Sequence, residues 1–309
     1  MLEVKNLRKV YGPLVAVEEL SFTLQPGDVF GFIGSNGAGK TTTIRMISTL
    51  LEPTSGTATI NGADIWKDPM EVRRLIGYMP DFFGLYDDVK VWEYLDFFAT
   101  IYRVPVNQRP AVIDNVLELT DLTVKRDAFV QSLSRGMQQR LCLARCLVHD
   151  PALLLLDEPA SGLDPRARAE LRELILELGR MGKIVIVSSH ILSELSGFCN
   201  TVGIIEKGRL LASGPVKEVI GSIRTSRVLE VRFLEDAGAP LQFAKARAHV
   251  NDAQMGPEGQ VCIDFVGTLE DQASLLEAFV AAGHRVVDFR ETHADLEDVF
   301  MRLTTGALN

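Results

Sequence analysis

No stretch of this chain is apolar for long enough to cross a bilayer as a helix. The longest apolar runs, such as Leu153 to Leu156 and Ile184 to Val187, fall far short of the roughly 18 residues a span requires. The start, Met1-Leu2-Glu3-Val4-Lys5, lacks a basic region followed by an apolar core and a small-residue cleavage site, which points to a protein that stays in the cytoplasm. Cysteine is scarce: Cys142, Cys146, Cys199 and Cys262 are too few and too scattered for a secreted disulfide framework, so reduced thiols are expected. There is no basic excess either. Lys plus Arg number 32 against 41 Asp plus Glu, a formal charge of −9, which argues against a partnership resting on counterion release from nucleic acid. Sustained heptads are absent, which excludes a long coiled coil.

What is present is an ordinary globular composition, 47% hydrophobic and 24% charged over 309 residues, and a length that suggests two domains. Val29 to Ile33 reads as a buried strand and Lys40 to Leu51 as a helix stopped by Pro53 and Gly56; Thr57 to Ile60 is strand-like and ends at the Asn61-Gly62 turn. Trp92, Leu95, Phe98 and Tyr102 recur at helical spacing, giving helices over 91–103 and 108–119. Further on, the runs Ala152 to Leu156 and Lys183 to Val187 flank a segment whose Leu171, Leu174, Ile175 and Leu178 follow the i, i+3, i+4, i+7 rule. That is a β-α-β unit, hence a largely parallel sheet. After Gly214-Pro215 the texture changes to half-exposed strands at Val228 to Leu234 and Val261 to Val266, with helical patterns at 269–282 and 295–303. A first domain over residues 1–221 and a small α+β domain over 222–309 are expected. The second holds 8 basic and 14 acidic residues, so it is a poor nucleic-acid tether.

Gly34-Ser35-Asn36-Gly37-Ala38-Gly39-Lys40-Thr41 fits G-x-x-x-x-G-K-[ST] between an apolar strand and a helix, the context this motif needs. Its glycines let the backbone curl so that amides point at phosphate oxygens, and the helix that follows offers its positive end. Lys40 brings a full charge to the β- and γ-phosphates, and the Thr41 hydroxyl, followed by Thr42, is placed for Mg²⁺. Downstream, Leu153-Leu154-Leu155-Leu156-Asp157-Glu158 ends a buried strand in two carboxylates. Such a pair is costly without a cation. Asp157 is the candidate Mg²⁺ ligand, and Glu158 the candidate to polarise a water beside the γ-phosphate.

With these motifs in place, the sequence resembles the ATP-binding subunit of an ABC transporter over about residues 2–215. Leu133-Ser134-Arg135-Gly136-Met137-Gln138-Gln139 is similar to the family signature LSGGQ, Ser161-Gly162-Leu163-Asp164 to the loop that crosses the dimer interface, and Ser189-His190 to the switch histidine. The resemblance implies an α/β fold: a P-loop NTPase core with an antiparallel β subdomain and a helical subdomain, followed by the small C-terminal domain. It implies that Ser134 and Gly136 of one subunit cap ATP held by the phosphate loop of a partner, that Tyr11 stacks on adenine, that His190 contacts the γ-phosphate, and that Asp164 sits at the interface of a homodimer. The cofactors implied are ATP and Mg²⁺. The partner implied is a separate membrane permease, which would place the protein on the inner face of the cell membrane without inserting into it.

Two departures stand out. Arg135 and Met137 replace the usual Gly and Gln of the signature, and Asp81, in Tyr78-Met79-Pro80-Asp81, stands where the family has a Gln that links Mg²⁺ to the membrane partner. Asp81 is assigned a metal-contact role here; a turn cap is the competing reading. The aromatic cluster Phe82, Phe83, Leu85 and Tyr86 is either a seat for a permease helix or local packing. The tail from Asp295 to Thr304 resembles the LEDVF-type helix of the drug- and polysaccharide-export branch, whose permeases are of the ABC-2 type, and it reads equally as a packing face. Cys142, Cys146 and His149 share a helix face and are read as core rather than as metal ligands. The expected function is the ATPase subunit of an ABC-2-type exporter. The alternatives are a soluble ABC-type ATPase acting on nucleic acid or ribosomes, and a regulator that holds ATP without turnover.

Overall fold

A computed structural model describes residues 1–292 apart from 83, 87, 192–194, 196 and 224–226. The chain divides into two compact units, Met1–Val216 and Lys217–Asn309, a division a few residues earlier than the sequence pattern suggests. In the first unit, strands β1 (Leu2–Tyr11), β2 (Leu14–Leu24), β4 (Ser55–Ile60) and β5 (Ala63–Asp64) form an antiparallel sheet in the order β2-β1-β4-β5. A second, six-stranded sheet has the order β10-β9-β3-β8-β7-β6, from β10 (Arg209–Pro215), β9 (Thr201–Glu206), β3 (Val29–Ile33), β8 (Ile184–Ser189), β7 (Leu153–Asp157) and β6 (Ile76–Met79). All its pairings are parallel except β10 on β9.

Both sheets share one core. Leu2, Leu20 and Phe22 from the first meet Phe30, Phe32, Leu155 and Ile186 from the second, and Phe22 stacks on Phe30 with ring centroids 5.1 Å apart. Strands β3, β7 and β8 are buried at every position, which is why they read as unbroken apolar runs rather than as alternation.

Among the described residues, the α-helices of this unit include α1 (Lys40–Ile47), α2 (Pro69–Leu75), α3 (Val91–Ile101), α4 (Arg109–Leu119), α5 (Arg135–Leu147) and α6 (Pro165–Arg180). Helix α1 ends four residues short of the expected Leu51, because Thr49 adopts the left-handed conformation at φ 63°. Helix α5 begins earlier than Gln138, since the Ser134 hydroxyl caps it by accepting the Met137 amide. It is held to the edge of the parallel sheet by Arg145, whose Nη2 donates to the Tyr78 carbonyl at 3.3 Å. Cys142 and Cys146 are buried on this helix, and His149 stacks on Tyr102 while donating to the Ile76 carbonyl, all packing roles.

Helix α7 (Val216–Ile223) begins at the boundary between the units. The second unit is a four-stranded antiparallel sheet, β12-β13-β11-β14, of β11 (Arg227–Phe233), β12 (Val250–Met255), β13 (Val261–Phe265) and β14 (Val286–Thr292), with helices α8 (Gly238–Lys245) and α9 (Leu269–Ala281). Leu229, Val231, Ile263, Phe265 and Phe279 make its core. Thr268 starts α9 with a capping box, its hydroxyl accepting from the Asp271 amide while Asp271 Oδ2 accepts from the Thr268 amide. The helical pattern expected at 295–303 lies outside the described residues.

Candidate nucleotide site

The site forms where three neighbouring parallel strands end. Strand β3 runs through the Gly34 to Gly39 loop into α1, and Gly39 sits at the helix N-cap at φ 111° with no side chain capping the first turn. A Cβ there would lie 2.7 Å from the Ala16 carbonyl oxygen, so only glycine lets the loop close against β2. Uncapped amides and the absence of an acidic residue in the first turn suit an anion.

Lys40 is only 6% exposed and turns back over the loop, its Nζ donating to the Gly34 carbonyl at 2.6 Å and the Ser35 carbonyl at 3.2 Å. Ser35 in turn donates its hydroxyl to Glu206 at the end of β9. Burial pulls the Lys40 ammonium below its ordinary pKa of 10.5, while Glu158 and Asp157 push back toward the charged form.

Glu158 follows β7 in the left-handed conformation, φ 50°, which swings its side chain between two partners. Oε1 lies 3.7 Å from Lys40 Nζ, and Oε2 lies 3.0 Å from His190 Nδ1 at the end of β8. Burial raises the Glu158 pKa above 4.5; the hydrogen bond from His190 and the Lys40 charge oppose that rise. A half-buried carboxylate held by these two partners is the kind of group general-base chemistry uses.

Asp157 is 1% exposed, and its Oδ1 accepts the Ser188 hydroxyl at 2.6 Å. The same Ser188 oxygen accepts the Glu158 amide at 2.9 Å, so one serine orients both carboxyl-bearing residues. The β7–β8 register, Asp157 opposite Ser188, makes this possible.

A cleft of about 310 Å³ is lined by Asn36, Gly37, Ala38, Gly39, Lys40, Thr41, Thr42, Asp81, Glu158 and His190, together with Ala16 and Ser161. The phosphate loop, the water-polarising candidate, the histidine and Asp81 are thereby brought together. Gly34, Ser35 and Asp157 are not among the residues that line it. Tyr11 is 46% exposed at the end of β1 and is not part of its wall. Nor are Ser134, Gly136 and Asp164: Ser134 caps α5, and Asp164 caps α6 by accepting the Arg166 and Ala167 amides at 3.0 and 2.9 Å. Two contributors were not singled out from the sequence: Ser188, whose role needs the β7–β8 pairing, and Ala16 of β2, which meets the cleft only in the fold; Ser161, noted in the sequence as part of the interface loop, also lines the cleft.

The oxygen donors Thr41, Asp81 and Asp157 fit a hard divalent cation bound largely through phosphates and water. No group of three or more His, Cys, Asp or Glu able to hold a metal occurs among the described residues.

A family model described as "ABC transporter" matches residues 17–161. The chain is 36% identical to the Nod factor export ATP-binding protein I of Cupriavidus metallidurans, over 98% of this chain and 97% of that one. The chain belongs to the ATP-binding subunits of ABC transporters. It is also 36% identical to the bacitracin transport ATP-binding protein BcrA of Bacillus licheniformis, over 99% of this chain and 98% of that one. A solved structure described as the ATP binding subunit of an ABC transporter superposes with a TM-score of 0.65 at 31% identity, covering 72% of this chain and 92% of that chain. Membership makes the protein an ATP-binding ATPase, and it favours the transporter reading over a ribosomal or nucleic-acid one.

Proposed function

We propose that this protein is the ATPase motor of an ABC-2-type exporter: two copies close around ATP and reopen after hydrolysis, driving a separate membrane permease. The observation that carries the reading is the split of the functional residues. Lys40, Thr41, Asp81, Glu158 and His190 share one cleft, while Ser134, Gly136 and Asp164 lie outside it, so a single subunit offers two incomplete halves. A second copy supplying Ser134 and Gly136 completes each.

Within the completed site, loop amides and Lys40 hold the β- and γ-phosphates. Glu158, steadied by His190, accepts a proton from the attacking water as the γ-phosphorus–oxygen bond to ADP breaks. Thr41, Asp81 and Asp157 would hold Mg²⁺, which supplies charge neutralisation on the phosphate oxygens. Tyr11, exposed at the end of β1, is assigned to adenine stacking.

Phe82 is 94% exposed and Tyr86 57% exposed, while Tyr86 also packs edge-on against Phe97 at 5.8 Å. Both readings of this loop therefore find a residue: Tyr86 braces α3, and Phe82 stands free of the packing as a seat for a permease helix. Phe83 lies outside the described residues. No helix among the described residues is long and apolar enough to cross a membrane. In this reading the contact with the membrane is made through the permease, on its cytoplasmic face. The names of the relatives, one of export and one of transport, support the exporter branch.

The test is co-purification with a multi-span membrane protein encoded by a neighbouring reading frame. Phe82→Ala should abolish permease-stimulated ATP turnover and leave ATP binding intact. A variant that unfolds, or that is stimulated as well as wild type, would remove Phe82 from the coupling surface.

A further inference from the structure

The signature departs from its family at Arg135, and the structure shows what that side chain touches. Its Nη2 donates to the Ser161 carbonyl at 3.2 Å. Its guanidinium lies flat over Gly162, where a Cβ would stand 2.5 Å from Cζ. Gly162 adopts φ 69°, so the loop offers bare backbone to the arginine. Next along α5, Gly136 faces Ala167 of α6, a Cβ at 136 falling 3.3 Å from the Ala167 Cβ. One turn further, Arg140 bridges Asp121 and Glu170. Three successive contacts thus zip the start of α5 onto the 161–164 loop and α6.

We propose that Arg135 is a positioning residue that clamps the 161–164 loop to the signature within one subunit. Ser161 lines that subunit's own ATP cleft, whereas Ser134 and Gly136 face the ATP of the other copy in the dimer proposed above, on which this inference rests. The clamp makes the two surfaces move as one piece, so ATP arriving in a subunit's own cleft sets the pose of the signature it offers its partner. A guanidinium suits the task because its planar fork covers the glycine backbone while donating to the carbonyl; a lysine ammonium does only the second. The contact is exposed, so it can be made and broken within each cycle.

The experiment is steady-state ATP turnover by the full-length chain as a function of ATP concentration, alongside ATP-dependent dimerisation. Wild type should give a Hill coefficient well above 1. Arg135→Ala should bring it close to 1, with affinity for a fluorescent ATP analogue in dilute, unpaired subunits unchanged within about twofold. Arg135→Lys should fall between. Gly162→Ala, which pushes the guanidinium off the loop, should act like Arg135→Ala, and the double variant should be no worse than either single one. A wild-type Hill coefficient in Arg135→Ala, or multiplying effects in the double variant, would overturn the clamp while leaving the dimer intact. A wild type that neither dimerises in ATP nor responds cooperatively would overturn the dimer itself and the clamp with it.

Discussion

Ser188→Ala removes a single oxygen from the interior, and the structure states what that oxygen holds. Its hydroxyl donates to the buried Asp157 carboxylate at 2.6 Å and accepts the Glu158 amide at 2.9 Å. A hydrogen bond to a charged group contributes about 1.5–3 kcal/mol, and a buried amide left without a partner costs about 1–3 kcal/mol. The two losses share one atom and one loop, so a combined cost of about 3 kcal/mol is expected. For a unit of this size, that lowers the midpoint of thermal unfolding by about 6–12 °C. Both tryptophans, Trp66 and Trp92, belong to the first unit, so their fluorescence in urea or on heating reports on that unit alone. Turnover should fall as well, because Glu158 loses the bond that fixes its backbone. Asp157→Asn tests the charge-assisted part: in a double-mutant cycle the pair should show a coupling of at least about 1 kcal/mol. A Ser188→Ala protein within about 0.5 kcal/mol of wild type would refute the reasoning.

Other outcomes follow from the same geometry. The acid limb of the turnover-versus-pH profile should lie above the ordinary carboxylate value of 4.5, since burial raises the Glu158 pKa. His190→Ala should move that limb further up by removing the hydrogen bond that opposes the rise. For stability the sign is opposite in use: a raised folded-state pKa favours the protonated form, so this contribution is present below pH 4.5 and is lost as pH climbs through the folded value. Lys40→Ala should weaken ATP binding by roughly ten- to hundredfold, the range of one charge-assisted contact, as read by equilibrium titration. Asp81→Ala should raise the Mg²⁺ concentration needed for half-maximal turnover by about tenfold; an unchanged requirement would reduce Asp81 to a turn residue.

Much of this was legible in the chain itself, for a physical reason in each case. The phosphate loop needs glycines and a lysine at fixed offsets, so Gly39 and Lys40 are visible locally. Strand β7 is buried on both faces and ends in Asp157 and Glu158, so its apolar run and terminal carboxylates announce themselves. Ser188 was silent because its meaning lies in a pairing between strands about thirty residues apart. The edge strands β6 and β14 were missed because a short run with Gly77, or a sequence as mixed as Val286 to Thr292, carries little periodicity. Arg135 read only as a departure from a motif; the Gly162 backbone beneath it gives it a partner.

The central claim is that two half-sites on one chain become whole sites only when two chains meet around ATP. Sedimentation of the Glu158→Gln protein, which on this account binds ATP and loses the group that takes the water's proton, tests it most directly. With ATP and Mg²⁺ the account predicts twice the subunit mass, and without nucleotide, or with Ser134 replaced by a bulky residue, the single mass. A Glu158→Gln protein that binds ATP and stays monomeric at every concentration would contradict it.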